Sequence, residues 1–289
     1  MTRLDPAWLD TQYNNRARVP DALRILERWT NASALAREQS DCVLDLPYGN
    51  APSERLDVFR TATGTKAPVF VFIHGGYWRA LDKRDHSFVA PALVDAGAMV
   101  VVPNYALCPA VRIDDIALQL TRALAWVWRH ASEYGGDPRR IVVAGHSAGG
   151  HLAAMLLTCR WEQVAPDLPT DLLRSAISIS GLFELEPIRH TPFLAPDLRL
   201  TAASARRLSP ALLPAPAGRL AAVVGGDESE EFLRQNTLIR SAWGEGAVPV
   251  CEAIPGTNHF TVLHDLADAG TRLHGLAREW LGLAPAHPG

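Results

Sequence analysis

The chain has 289 residues, of which 48% are hydrophobic and 20% are charged, and its formal net charge is -3. A chain of this length can bury roughly three quarters of its unfolded surface, either as one large α/β domain or as two smaller ones. The small negative charge and the scattered Lys and Arg residues argue against binding to nucleic acid or to an anionic membrane. No apolar run reaches the length of a membrane span.

The cysteines and the first thirty positions indicate the compartment. The four cysteines are far apart and form no C-x-x-C pair, which argues against a zinc site or a disulfide framework. We expect each of them to be a small buried hydrophobe. The early residues contain no unbroken apolar stretch, so they do not resemble a signal peptide, and the cytoplasm is the default location.

Residues 1–40 have the pattern of amphipathic helices. Asp5-Pro6 is a plausible helix start, and Leu23, Leu26 and Trp29 follow at close to helical spacing. The favoured interpretation is that this segment packs against the edge of a sheet. The alternative is a lid that contributes Tyr13 or Trp29 to a pocket.

Short apolar runs alternate with helical patterns along the rest of the chain, and we expect a mostly parallel sheet with helices on both faces. The first two strands, separated by a turn-rich connection, predict an antiparallel hairpin at the sheet edge. The predicted strands are Val43–Leu46, Leu56–Phe59, Val69–Ile73, Ala98–Val102, Ile141–Ala144, Ala176–Ile179, Leu220–Val224 and Val248–Ile254. The predicted helices are Ser87–Ala96, Ile113–His130, Ala148–Leu157, Ser229–Trp243 and Val262–Trp280.

A Pro- and Leu-rich stretch interrupts this alternation. Residues 183–217 predict an irregular, partly helical insertion of the kind that caps a site. With no internal repeat and no low-complexity block, we expect residues 1–289 to form a single domain.

Gly145-His146-Ser147-Ala148-Gly149 matches the G-x-S-x-G pattern between a predicted strand and a predicted helix. That context holds the serine at the tip of a sharp turn and leaves no room for a Cβ at the flanking glycines. The motif predicts that Ser147 is a nucleophile rather than a structural turn serine.

A serine hydroxyl needs a base, and the base needs an orienting acid. Asp227 follows a strand and a Gly-Gly pair, and His259 lies in a loop between the last strand and the last helix, so their order with Ser147 is Ser, Asp, His. We therefore predict Asp227 as acid and His259 as base. Asp227 as a mere helix cap, Glu228 as the acid and His264 as the base are the less favoured alternatives.

A second group of residues follows the strand Val69–Ile73. The backbone N–H groups of Gly75, Gly76 and Tyr77, together with Ala148 opposite, predict an oxyanion hole. Tyr77, Trp78 and Phe183 are candidates for an apolar substrate pocket, although each of these side chains is individually more typical of packing.

The remaining histidines have no ligand spacing, so we expect no metal site and no cofactor. We expect His146 to be a turn residue packed under the nucleophile and His151 to be a helix residue. We expect the others, His86, His130, His190, His274 and His287, to lie at solvated positions.

Four motifs together resemble the hormone-sensitive-lipase-like α/β-hydrolases and, among them, the kynurenine formamidases (arylformamidases). They are His74-Gly-Gly-Tyr-Trp78, Gly145-His-Ser-Ala-Gly-Gly-His-Leu152, Gly226-Asp-Glu-Ser229 and Asn258-His-Phe260. Gln12-Tyr-Asn-Asn-Arg-Ala-Arg-Val-Pro20 is similar to the leading segment of bacterial members. The resemblance spans nearly the whole chain.

The resemblance implies a metal-independent serine hydrolase that removes a small acyl group, typically formyl, from an aryl amide such as N-formylkynurenine. It implies Ser147, Asp227 and His259 as the triad, a role in tryptophan catabolism and a small aromatic amide or ester as substrate. A homodimer is compatible with the sequence. A general short-chain carboxylesterase is the alternative, and a ligand-binding protein without turnover on the same scaffold is less favoured.

Overall fold

A computed structural model of the chain describes residues 4–62, 64 and 66–284. Within these ranges one sheet has the strand order β1-β2-β4-β3-β5-β6-β7-β8. The strands are β1 Cys42–Pro47, β2 Arg55–Phe59, β3 Ala67–Ile73, β4 Met99–Pro103, β5 Gly136–His146, β6 Ser175–Ile179, β7 Arg219–Gly225 and β8 Val250–Ile254. Strand β2 pairs antiparallel with β1 and β4, and the remaining neighbours pair parallel.

The helices connect the strands and cover the sheet. In chain order they are α1 Pro6–Tyr13, α2 Asn15–Arg18, α3 Ala22–Gln39, α4 Ala90–Asp95, α5 Ile113–His130, α6 Ala148–Leu157, α7 Trp161–Val164, α8 Glu186–Arg189, α9 Ala195–Leu198, α10 Ala202–Arg207, α11 Glu230–Ala247, α12 His264–Ala267 and α13 Arg272–Leu281.

Both faces of the sheet are apolar. Successive side chains of a strand point to opposite sides, so a run of consecutive apolar residues places apolar side chains on both faces. On β3, Val69, Val71 and Ile73 belong to a core formed with α5, α6 and α11. Phe70 and Phe72 belong to a second core formed with α3, α4 and α13. A strand buried on both sides reads as a continuous apolar run, which explains why β3 was recognisable in the sequence.

The predicted architecture is confirmed: a mostly parallel sheet has helices on both faces and an antiparallel pair, β1 and β2, at one edge. The stretch 183–217 contains the short helices α8, α9 and α10 and a 3₁₀ turn at Pro210–Leu212, in agreement with the irregular insertion that was expected. The prediction of one last helix over Val262–Trp280 is wrong. The chain turns between α12 and α13, where Gly270 has a φ of 90° that a continuing helix does not allow.

Candidate active site

Ser147 lies at a sharp turn between β5 and α6. Its φ of 56° and ψ of −116° are strained for a residue with a side chain, and its N–H donates to the carbonyl of Ile179 at 2.8 Å. A Cβ on Gly149 would lie 2.0 Å from the Ile73 carbonyl oxygen, and one on Gly145 would lie 2.2 Å from the Gly149 carbonyl oxygen. Glycines at both flanks therefore let the helix cross the sheet closely enough to present Ser147 at the strand tip.

His259 lies in the loop after β8, and Asn258 holds that loop in place. The Asn258 side-chain oxygen accepts from the N–H groups of Phe260 at 2.9 Å and Thr261 at 3.0 Å. The Nδ1 of His259 lies 2.6 Å from the Oε2 of Glu228. A neutral imidazole that donates from Nδ1 to this carboxylate has its lone pair on Nε2, which is the arrangement that a general base requires.

The carboxylate of Glu228 is fully buried and has partners at both oxygens. Its Oε1 accepts from the N–H of Gly225 at 2.8 Å and from the hydroxyl of Ser180. Several donors around one buried carboxylate fix its orientation.

The prediction that Asp227 orients His259 is therefore wrong in this structure. Asp227 is exposed, and its N–H donates to the carbonyl of Thr257 at 2.9 Å. Strand β7 continues to Gly225, and a turn in which the N–H of Glu228 donates to Gly225 carries the glutamate side chain inward. The alternative acid, Glu228, is the one that the fold brings to the histidine.

The loop after β3 lies against Ser147. A Cβ on Gly75 would lie 2.9 Å from the His146 carbonyl oxygen and 3.2 Å from the Ser147 Cβ. Ala148 is the first residue of α6, so its N–H has no partner within the helix. This placement is compatible with an oxyanion hole formed by Gly75, Gly76, Tyr77 and Ala148, and that role stays a prediction.

The His74 side chain stabilises this loop through hydrogen bonds and ring stacking. The side chain is buried, with Nδ1 2.8 Å from the Gly75 carbonyl oxygen and Nε2 3.1 Å from the Asn104 side-chain oxygen. Its ring stacks on Tyr105 with a centroid distance of 4.1 Å. Tyr105 in turn donates its hydroxyl to the His74 carbonyl at 2.8 Å.

A cavity of about 330 Å³ opens beside Ser147 and His259. Aromatic and aliphatic side chains supply much of its wall, namely Tyr13, Trp29, Tyr77, Leu81, Phe193 and Phe260. The N-terminal segment thus both packs on the sheet and supplies Tyr13 and Trp29 to the cavity. A cavity of this size lies at the lower end of the range of small-molecule sites.

Of the three predicted pocket residues, Tyr77 lines this cavity and its role in binding substrate stays a prediction, whereas the prediction is wrong for Trp78 and Phe183. Tyr77 and Trp78 both have positive φ values, and this turn sends Tyr77 to the cavity and Trp78 into the core, where its ring meets His151 at 5.0 Å. Phe183 is also fully buried, with its N–H bonded to the Gln235 side chain at 2.8 Å. The insertion contributes Phe193 instead, which the sequence pattern did not distinguish from its neighbours.

His264, the alternative base, has a hydrogen-bond partner other than Glu228. Its Nε2 accepts from the indole N–H of Trp29 at 3.2 Å, and burial lowers its pKa. His146 is packed under the nucleophile as expected: its Nε2 lies 2.7 Å from the His259 carbonyl oxygen, and burial lowers its pKa well below the usual value.

The expectation of solvated histidines is wrong for His86 and His274, which are both buried. The pKa of His86 falls to about 3, chiefly because burial disfavours the charged ring. His130 and His190 are partly exposed, and His287 lies outside the described residues. Within the described ranges, no cluster of His, Cys, Asp or Glu has the arrangement of a metal site. No described helix is long and apolar enough to cross a membrane.

Comparison with known proteins places these motifs in a family. The BD-FAE family model matches residues 56–172, a span that includes the loop after β3 and Ser147. Kynurenine formamidase of Salmo salar is 30% identical over 96% of this chain and 96% of its own length. The chain belongs to the kynurenine formamidase family.

Solved structures similar to this kynurenine formamidase family member are α/β-hydrolases. A Silicibacter protein described as a candidate thioesterase is 32% identical, with a TM-score of 0.80 over 92% of this chain and 97% of its own. An esterase from Pyrobaculum calidifontis has a TM-score of 0.69 over 91% of this chain and 92% of its own, at 20% identity, which supports the fold alone. The kynurenine formamidase family member therefore is a hydrolase of the α/β-hydrolase type.

Proposed function

We propose that the protein is a serine hydrolase that removes a small acyl group, formyl in the leading case, from an aromatic amide through an acyl-enzyme. Family membership supports the reaction class. The observation that carries the mechanism is the buried hydrogen bond between Glu228 and His259, because His259 and the strained Ser147 line the same cavity. N-formylkynurenine is the proposed substrate because relatives of nearly the same length are kynurenine formamidases.

In the first half of the proposed reaction, Nε2 of His259 takes the proton of the Ser147 hydroxyl as the serine oxygen attacks the formyl carbon. The developing oxyanion accepts hydrogen bonds from the backbone N–H groups of Ala148 and of the loop residues Gly75, Gly76 and Tyr77. The amide C–N bond then breaks, and the imidazolium returns its proton to the departing arylamine nitrogen. Glu228 stabilises the imidazolium while it exists.

In the second half, water attacks the formyl-serine ester and gives its proton to His259. The ester bond breaks, the proton passes to the Ser147 oxygen, and formate leaves. The fully buried Glu228 keeps its hydrogen bonds throughout, so neither half requires rearrangement of the acid.

The test is turnover of N-formylkynurenine by the wild-type protein, Ser147→Ala and Ser241→Ala, the last being an exposed serine on α11 that serves as the matched control. We expect Ser147→Ala to lose at least about 10³-fold in kcat, as removal of a triad nucleophile does. A fluorophosphonate should label the wild-type protein and Ser241→Ala at Ser147 and leave Ser147→Ala unlabelled.

A comparison of kcat/KM between N-formylkynurenine and p-nitrophenyl acetate separates formamidase from general carboxylesterase activity. Preference for the formamide supports the proposal. Brisk ester cleavage with weak formamide turnover would retain the serine mechanism and refute the substrate. A folded wild-type protein that neither turns over substrate nor reacts with the phosphonate would refute the mechanism.

A further inference from the structure

Three consecutive residues of the loop after β3 have left-handed backbone conformations. The φ values are 105° at Gly76, 50° at Tyr77 and 56° at Trp78. Residues with a Cβ keep this conformation only where the surroundings hold it. Part of the restraint is local, since the N–H groups of Arg79 and Ala80 both donate to the Gly76 carbonyl, and Trp78 is fully buried.

The side chain of Tyr77 is restrained from the opposite end of the sequence. Its hydroxyl donates to the carbonyl of Tyr13 at 2.7 Å and accepts from the side-chain amide of Asn15 at 3.4 Å. Tyr13 is the last residue of α1 and Asn15 the first of α2, so the phenol ends in the junction between the two helices. The ring also makes an edge contact with Phe193 at 5.9 Å.

The α1–α2 junction is itself anchored to the helix that follows the acid. The Tyr13 hydroxyl donates to Oε2 of Glu231 at 2.7 Å and accepts from the side-chain amide of Gln235 at 3.2 Å. Glu231 and Gln235 lie on α11, which begins two residues after Glu228. Tyr13 is completely buried.

We propose that the α1–α2 junction is a positioning element for the predicted oxyanion hole: by binding the Tyr77 hydroxyl, Tyr13 and Asn15 hold the backbone N–H of Tyr77 toward the reacting carbonyl. This inference rests on the proposed serine-hydrolase function. A chain of hydrogen bonds, buried between α11 and Tyr13 and partly buried between Tyr13 and Tyr77, then connects α11 to the loop after β3. The Tyr77 ring lines the cavity, but its hydroxyl acts only through the Tyr77 backbone, so the contribution of the hydroxyl belongs to the transition state rather than to substrate binding.

Tyr77→Phe tests the inference because it removes only the hydroxyl. We expect kcat to fall about tenfold, less than the roughly 10²–10³-fold that accompanies complete loss of an oxyanion donor, while KM changes less than about twofold. The rate should be expressed per serine labelled by the phosphonate, so that a smaller folded fraction does not count as a lower kcat. Affinity for an aryl trifluoromethyl ketone, which forms a tetrahedral adduct, should fall by the same factor as kcat/KM.

Asn15→Ala is the second substitution that tests the inference. Alone it should lower kcat in the same direction by a smaller factor, and in the Tyr77→Phe background it should have no further effect, because the hydroxyl through which it acts is absent. The inference is overturned if Tyr77→Phe leaves kcat per labelled serine unchanged, if only KM rises, or if the two substitutions multiply independently. Absence of Ser147-dependent turnover in the wild-type protein would instead refute the proposed function.

Discussion

Glu228 and His259 form a buried hydrogen bond of 2.6 Å, while Asp227, the preceding residue, is exposed. We therefore expect Glu228→Gln to lower kcat by about 10²–10⁴-fold, since an amide cannot stabilise the imidazolium and can select the wrong tautomer. Asp227→Asn should change kcat by less than about threefold, because it alters a solvated group. Steady-state kinetics on both variants decide between the two carboxylates, and a larger loss in Asp227→Asn would contradict the assignment.

Ser180 is predicted to support the acid. Its hydroxyl donates to the Glu228 carboxylate, so Ser180→Ala should reduce kcat/KM about tenfold, the effect of losing a hydrogen bond to a charged group. Ser178→Ala is the matched control. That serine is equally buried but its Oγ has no hydrogen-bond partner among the described residues, so its removal should leave kcat/KM within about twofold. Equal losses in both variants would indicate a general packing defect.

Arg16 is predicted to favour anionic substrates. The charged side chains that line the cavity are Arg16 and Arg79, with no carboxylate among its described lining residues. Arg79 is committed to Asp197 and the Phe193 carbonyl, whereas Arg16 forms no ion pair within the described part of the chain. Arg16 is exposed and lines the cavity, so its guanidinium is available to a substrate carboxylate.

The ratio of kcat/KM for N-formylanthranilate to that for N-formylanthranilamide measures this effect, since the two compounds differ in charge and little in size. Arg16→Gln should lower the ratio about 1.5- to fivefold, the range of an exposed ion pair. Arg18→Gln, whose guanidinium donates to the Thr11 carbonyl, is the control and should leave the ratio unchanged. An unaltered ratio in Arg16→Gln would exclude this role.

Because the protein contains buried histidines, we expect its folded state to be less stable in acid. Burial lowers the pKa of His151 to about 4, and the unfolded chain restores it to its ordinary value near 6.5. The unfolded state therefore binds more protons between these values, so stability is complete above about pH 6.5 and falls as the pH drops toward about 4.

Each such histidine can change the free energy of unfolding by up to about 1.4 kcal/mol per pH unit. Urea denaturation between about pH 7.5 and about pH 5 measures the slope. His151→Gln, which keeps a donor for the Leu208 carbonyl, should show a shallower one. A slope unchanged by this substitution would assign the acid sensitivity to other groups.

Gly149 is predicted to be indispensable to the turn at Ser147. Gly149→Ala would bring a Cβ to 2.0 Å from the Ile73 carbonyl oxygen, so the strand and helix must separate, and we expect both folding yield and activity to collapse. Gly275→Ala, in the middle of α13 with open space around it, should instead raise stability by about 0.5–1 kcal/mol. Thermal unfolding of the two variants provides the comparison, and a stable, active Gly149→Ala protein would contradict this account.

Short-range sequence patterns were sufficient to predict several elements of the fold and of the candidate site. The apolar run at β3, the glycines around Ser147 and the loop position of His259 each follow from short-range rules, because strand burial and tight turns leave direct traces in residue type. The parallel sheet then brings the ends of β3, β5 and β7 to one edge, as their order along the chain predicted.

The choice between Asp227 and Glu228, the burial of Trp78 and Phe183, and the contribution of Phe193 depended on tertiary structure. Adjacent carboxylates are indistinguishable by type, and a single-residue difference in where a strand ends reverses which one faces inward. The sequence by itself thus determined the sheet, the sharp turn at Ser147 and the resemblance to hydrolases of the α/β-hydrolase type. Only the packed structure decided which acid reaches His259 and which aromatic residues line the cavity, because those outcomes depend on side-chain direction and on contacts between segments far apart in the chain.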